Sequence, residues 1–321
     1  MINTKEIADD QTLKVSHCGR WAVSLVASLV LLLLPGVPGS VLAQQLEPRA
    51  YSPAPVDLNI IGLGAYYTTG NVVTDPTAPI QNLHARVYML APFYGRTLGV
   101  LGRQASITVV APSARAVATG DVLGEGRAID RTGMMDPQVR FAMNLLGGPA
   151  MKREEFFKHS PGTTLGASIL VNIPLGQYDP VKLINLGTNR WAVKPELGFS
   201  HPEGNWTFEI YAGVWLFEAN DEYFGDKVRR QDPLQSYQAH IVYQVRQHFW
   251  LAFDYTYFSG GESSLNGVVQ HDRQSNSRGG ITVSYPLGPG QSLKMTWARG
   301  VLTRIGSDFD TFGAAWQLTW F

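Results

Sequence analysis

Apolar and polar side chains alternate with a period of two through most of the chain, in runs of roughly ten residues, while the 3.6-residue spacing of an amphipathic helix is scarce. In His248–Tyr257, Phe249, Leu251, Phe253, Tyr255 and Tyr257 share one face, and His248, Ala252, Asp254 and Thr256 share the other. Asn205–Phe217 sets Trp206, Phe208, Ile210, Ala212, Val214 and Leu216 against Thr207, Glu209, Tyr211 and Gly213. Tyr237–Arg246, Leu165–Ile173, Trp191–Phe199 and Leu293–Trp297 repeat the scheme. Each is a strand with one greasy and one polar side. The pattern predicts strands over 57–68, 83–93, 98–111, 135–146, 162–174, 191–201, 204–218, 234–246, 248–259, 277–286, 291–302 and 309–320.

The connections are expected to alternate in length. Long ones cover 112–134, 175–190, 219–233 and 260–276; short ones are a corner at Gly95, Pro202–Gly204, Arg246–His248 and Pro286–Gly290. Segment 147–161 should be short and is not, and Met151–Phe157 within it suits a small helix. Antiparallel up-and-down strands with tight turns at one end and long loops at the other form two kinds of structure. A soluble sandwich or barrel points its apolar face into a core; a membrane barrel points it at lipid and keeps a polar lumen. Strand length suits a tilted crossing of the hydrocarbon. Aromatic residues gather at strand ends (Tyr66, Tyr67, Phe93, Tyr94, Trp215 and Tyr255–Phe258), and the last strand closes on Trp320 and Phe321. The fold class expected is therefore all-β: a transmembrane antiparallel β-barrel of about twelve strands, up-and-down.

The amino terminus has a different character. Lys5, Lys14 and Arg20 precede the apolar run Trp21–Leu34, then Pro35, Gly36 and the small-residue exit Val41-Leu42-Ala43. This reads as an export signal over 1–43, cleaved after Ala43, with the barrel in 44–321. The run is shorter than the roughly 20 residues a spanning helix needs. The only cysteine, Cys18, lies in the signal, so the exported chain has no disulfide and no thiolate metal site. With 26 basic and 26 acidic residues in the whole chain, the net charge is zero and there is no electrostatic footprint for nucleic acid. Charged residues make up 16% of the chain, against about 25% in average soluble domains.

Candidate chemistry is sparse. Neither His-Glu-x-x-His nor Gly-x-Ser-x-Gly occurs, and Gly62-Leu63-Gly64 and Gly120–Gly126 lack the strand-turn-helix setting of a phosphate cradle. His271 and Ser275 fall together in a polar loop and evoke an outer-membrane hydrolase with a Ser nucleophile and a His base, but proximity in sequence is a weak signal there. No catalytic residue, metal or cofactor is expected. The polar faces are more informative. Strand parity points Arg86, Arg140, Lys194, Glu196, Glu209, His240, Arg246, Asp254 and Lys294 into the lumen, with His84 and Asn144 beside them. Such residues either pair to plug a narrow barrel or line a solute path.

The stretches Met135–Pro149 (MDPQVRFAMNLLGGP), Val171–Asp179 (VNIPLGQYD), Leu186–Gly198 (LGTNRWAVKPELG) and Gly306–Asp310 (GSDFD) resemble an outer-membrane transporter-like family labelled for the meta-pathway of phenol degradation. The resemblance covers nearly all of the exported chain and implies an outer-membrane barrel that passes or binds hydrophobic or aromatic compounds. It supplies no catalytic residues. The matched segments flank 175–190, so Tyr178, Asp179, Asn189 and Arg190 are expected to shape the extracellular mouth or fold into it. The expected function is passive uptake of small hydrophobic or aromatic, phenol-like compounds across the bacterial outer membrane. The expected partners are outer-membrane lipid, that solute, and the barrel-assembly machinery during insertion, with no nucleic acid. The alternatives are a closed structural or adhesive barrel without transport and, behind it, a phospholipase-like hydrolase.

Overall fold

The computed structural model describes residues 46–73, 80–122 and 125–321; the expected signal, 1–43, lies outside the described residues. The strands are β1 (Asn59–Val73), β2 (Ile80–Val100), β3 (Arg103–Val110), β4 (Ser113–Val122), β5 (Glu125–Met134), β6 (Gln138–Leu146), β7 (Thr164–Asn172), β8 (Ala192–Glu203) and β9 (Trp206–Phe217). They continue as β10 (Asn220–Tyr223), β11 (Lys227–Gln231), β12 (Leu234–Arg246), β13 (Phe249–Gly260), β14 (Ser263–Leu265), β15 (Val268–Val269), β16 (Gln274–Gly288), β17 (Gln291–Leu302) and β18 (Gly306–Trp320). One helix, α1 (Arg153–Phe156), lies between β6 and β7, within the segment where a small helix is expected.

β1 pairs antiparallel with β2 along one edge, Asn59 opposite Arg96, and with β18 along the other, Asn59 opposite Trp320. The sheet thereby closes into a barrel of twelve strands: β1, β2, β3, β6, β7, β8, β9, β12, β13, β16, β17 and β18. Closure leaves no exposed row of backbone donors, the condition for a sheet in hydrocarbon. The polarity is inverted as the alternation requires. Ile210, Phe253 and Phe312 are at least half exposed on the outer surface, whereas Lys194, Glu196, Glu209 and His240 on the inner face are 5% exposed or less.

Three regions depart from the expected strand map. β2 runs straight through Gly95, which pairs with Ile60 and Thr108, and the turn falls instead at Leu101-Gly102, both with positive φ. The expected loop 112–134 is mostly hairpin: β4 and β5 continue the β3–β6 ribbon past Pro112, Ser113 facing Met134 where Val110 faces Gln138. β7 and β8 end at Asn172 and Ala192, so β4–β5 rises above the wall beside them. The expected loops 219–233 and 260–276 contribute β10, β11, β14 and β15 to a separate four-stranded sheet at this loop end.

The inverted polarity makes a specific prediction. Ile210→Arg, at the middle of β9 on the lipid side, should destabilise the folded barrel in a bilayer by about 2–4 kcal/mol, as measured by denaturant titration in lipid vesicles. Ile210→Ala should cost much less.

Candidate functional site: a filled lumen beneath an aromatic mouth

The segment before β1 does not lie outside the barrel; it runs up through the lumen. The amide of Arg49 donates to Glu209 Oε2 at 2.7 Å, its Nη1 to Gln244 Oε1 at 3.0 Å, and the amide of Ala50 to Tyr211 Oη at 3.2 Å. Tyr51 is 2% exposed, pairs through its hydroxyl with Ser168 Oγ at 2.9 Å and donates to Glu196 Oε1 at 3.0 Å. Its ring packs edge-on against Tyr211, with 5.0 Å between centroids. Room for that ring comes from Gly166 and Gly198 on the neighbouring inner faces of β7 and β8. A Cβ on either would lie 2.2 or 2.1 Å from a Tyr51 ring carbon. Nearer the turn end, Thr97 holds the segment by donating to Pro55 O at 2.6 Å and accepting from the Leu58 amide at 2.9 Å.

Around this segment the inner-face charges form a network. Lys194 Nζ lies 2.9 Å from Glu196 Oε2, Arg140 Nη2 lies 3.6 Å from Glu196 Oε1, and Arg140 Nη1 lies 3.8 Å from Glu47. Across the lumen His240 Nδ1 meets Asp254 Oδ1 at 2.6 Å, and Thr282 Oγ1 donates to Asp254 Oδ2 at 2.6 Å. Ser200 Oγ donates to Glu209 Oε1 at 3.1 Å. Asn144 Nδ2 donates to Gln104 Oε1 at 2.7 Å, and Lys294 sits part-buried on the inner face of β17. Burying charges without partners is costly, and here most are placed to compensate one another.

Three residues expected in the lumen are elsewhere. Arg86 lies on the outer parity of β2 and is exposed; His84, on the same parity, is half-buried and pairs with Thr69 Oγ1 and Asn71 Oδ1 of β1; the inward positions are Leu83, Ala85, Val87 and Met89. Near the loop end β2 is apolar toward the lumen, and its outward positions there carry His84 and Arg86. Arg246 is turned out by a register shift between Gln244 and Arg246; its guanidinium packs against Phe249 and Tyr285 at 5.9 and 5.8 Å. The loop pair His271 and Ser275 is not assembled as a catalytic couple: Ser275 Oγ pairs with Tyr257 Oη at 3.1 Å, and His271 faces Glu262 at 3.8 Å.

Above the charged layer the inner surface becomes apolar and aromatic. Val87, Met89, Ala114 and Met135 enclose Leu186 from the 173–191 segment, and Leu170, Ala192, Trp215, Leu234 and Phe258 form a second cluster joined by Phe217. The 173–191 segment folds over this layer because Asp136 holds it. Asp136 Oδ1 accepts from the Gly176 amide at 2.9 Å, and Oδ2 accepts from Asn172 Nδ2, the Thr188 amide and Thr188 Oγ1 at 3.0, 2.9 and 2.6 Å. Gly176 and Gly187 allow the two arms of the segment to touch; a Cβ on either would come within 2.7 Å of the other's backbone.

Of the four expected mouth residues, Tyr178 and Arg190 line a cavity of about 70 Å³ with Asp136, Trp215, Phe217 and Tyr223. Tyr178 Oη accepts from Asn220 Nδ2 at 2.9 Å and donates to Glu222 O at 3.1 Å, tying the segment to β10. Asn189 Nδ2 donates to Asn220 Oδ1 at 3.2 Å. Asp179 is directed away, with Lys182 Nζ 2.6 Å from its carboxylate, and that hydrogen bond holds its carboxyl below the usual range. Sequence reasoning missed Asp136, although it stands within the matched Met135-Asp136-Pro137 stretch, and missed the luminal segment, whose one signal is the pair of inward glycines at 166 and 198. Among the described residues no group of His, Cys, Asp and Glu is placed to hold a metal.

Asp136→Ala should release the 173–191 segment while leaving the barrel folded. Losing the three hydrogen bonds that Gly176 and Thr188 donate to a charged acceptor removes several kcal/mol of local restraint on the segment, at about 1.5–3 kcal/mol each. Limited proteolysis should then cut within 173–191 at least about tenfold faster than in the parent protein, with unchanged heat-modifiable gel migration.

An outer membrane channel from Pseudomonas putida F1 has the same fold, with a TM-score of 0.75 at 18% identity over 86% of this chain and 100% of that one. The β domain of the Bordetella autotransporter BrkA aligns with a TM-score of 0.49 at 11% identity, covering 81% of this chain and 98% of that one. No curated protein matches the sequence. The family model described as "Putative MetA-pathway of phenol degradation" matches residues 66–315, and the chain belongs to that family.

Proposed function

We propose that the protein is exported through its 1–43 signal, is inserted in the bacterial outer membrane by the barrel-assembly machinery, and lets small apolar or aromatic solutes cross by diffusion. The observation that carries this reading is the layering of the lumen. An apolar and aromatic layer lies under the 173–191 segment, made of one cluster of Val87 and Met89 around Leu186 and a second of Trp215, Phe217 and Phe258. It borders the mouth cavity through Leu186, Trp215 and Phe217 and stands above the charged layer that grips Tyr51. A barrel with only a structural role has no need of an apolar internal layer roofed by a folded-in loop. The apolar layer favours solutes that shed water easily. The charged layer beneath it excludes free flow of polar solutes for as long as Tyr51 and Arg49 stay in place. Membership of a family named for phenol degradation and likeness to an outer membrane channel support the same reading.

A closed structural barrel is the second reading, favoured by the filling of the lumen by the 46–58 segment. Catalysis finds no support in the separate pairings of Ser275 and His271.

Flux separates the two. In liposomes loaded with a phenol-sensitive reporter, purified protein should raise the entry of a phenol too polar to cross lipid rapidly, such as a dihydroxybenzoic amide, by roughly tenfold over protein-free vesicles, while a disaccharide enters at the background rate. Background rates for both would leave only the closed barrel.

A further inference from the structure

We propose that the mouth cavity is a recognition site for the carboxylate of a small aromatic acid, which narrows the solute class from aromatic compounds in general to aromatic monocarboxylates; this rests on the reading of the barrel as a solute path. Three charged residues line the cavity: Asp136, Arg190 and Arg229. The four donors to Asp136 occupy its carboxylate, and among the described residues no carboxylate lies within ion-pair distance of either arginine. One positive charge is therefore left in excess, matching a monoanion better than a phosphate dianion.

The cations are not solvated instead, since Arg190 and Arg229 are each 7% exposed. Arg190 Nη2 donates to Gln231 Oε1, but its Nη1 is buried with no hydrogen-bond partner. Two further buried donors on the same cavity, Tyr223 Oη and Trp215 Nε1, are also without partners. Buried donors are normally satisfied, so three orphans around one space point to a missing acceptor. Burial, and then repulsion from Arg229, weakens the hold of Arg190 on its proton; the negative charge of a bound anion offsets both effects.

The walls supply the rest of the ligand's shape. Arg190 lies 4.5 Å over the Phe217 ring and Arg229 5.4 Å over the Tyr223 ring, while Trp215 and Phe217 are near-parallel at 10° with 6.3 Å between centroids. A carboxylate can take two parallel hydrogen bonds from a guanidinium, and a flat ring attached to it meets these aromatic faces.

The test is calorimetric titration of the purified full barrel in detergent with benzoate, benzamide, acetate and inorganic phosphate. Benzoate should bind about tenfold or more tightly than each of the other three, and Arg190→Gln and Arg229→Gln should each abolish its advantage over benzamide. Equal binding of benzoate and benzamide by the parent protein would overturn recognition of charge. Equal binding of benzoate and acetate, or of benzoate and phosphate, would overturn recognition of an aromatic acid. The benzamide comparison uses the parent protein and needs no variant to fold. If phenol flux persists while benzoate shows no preference, only this inference fails; if flux is also absent, the transport reading fails with it.

Discussion

A sheet surrounded by hydrocarbon can leave no backbone donor or acceptor unpaired, and the pairing of β1 with both β18 and β2 meets that constraint here. The other main features follow from closure. A closed sheet has an outside and an inside, so the period-two alternation sends Ile210 and Phe253 to lipid and Glu209 and Asp254 inward. Twelve strands enclose only a narrow space, and charges confined there need partners. Lys194 and Arg140 share Glu196, His240 takes Asp254, and Glu209 takes Ser200 and the backbone of Arg49.

The luminal segment is part of that compensation. Tyr51 reaches Glu196, Arg49 and Ala50 supply amides to Glu209 and Tyr211, and two glycines make the space for the Tyr51 ring. The grip combines these polar contacts with the packing of the Tyr51 ring against Tyr211 and Ala142. At the opposite end Asp136 gathers the 173–191 segment into a roof over the aromatic layer. The barrel is thus filled in two layers, one charged and one aromatic, and Trp215 touches both: it packs with Leu234 and Phe258, and the Lys194 ammonium lies 5.6 Å from its ring centroid.

The wall was legible wherever one face of a strand meets lipid and the other the polar lumen, as in β9, β12 and β13. It was misread where that contrast fails. β4 and β5 stand above the wall; the apolar face of β4 is only the small Ala114, Ala116 and Ala118, opposed to Arg115 and Thr119, so the contrast is weak and Ser113–Met134 reads as loop. The upper half of β2 faces an apolar layer, which sends Arg86 and His84 outward against the parity rule. A one-residue slip at Gln244 does the same to Arg246. Gly95 imitates a turn that Leu101-Gly102 actually makes. The stretches Met135–Pro149, Val171–Asp179 and Leu186–Gly198 stand apart in sequence, and their meeting at Asp136 depends on chain tracing that periodicity does not carry.

The claim on which the rest hangs is that the 46–58 segment closes a path that otherwise exists. Single-channel conductance in planar bilayers tests it directly, comparing the parent protein with a variant in which Leu46–Ser52 is replaced by a Gly-Ser segment of equal length. Removal of Arg49 and Tyr51 should raise the conductance several-fold and abolish brief closures. An unchanged, near-zero conductance in a properly folded variant would contradict the claim and mark the lumen as closed by its own wall.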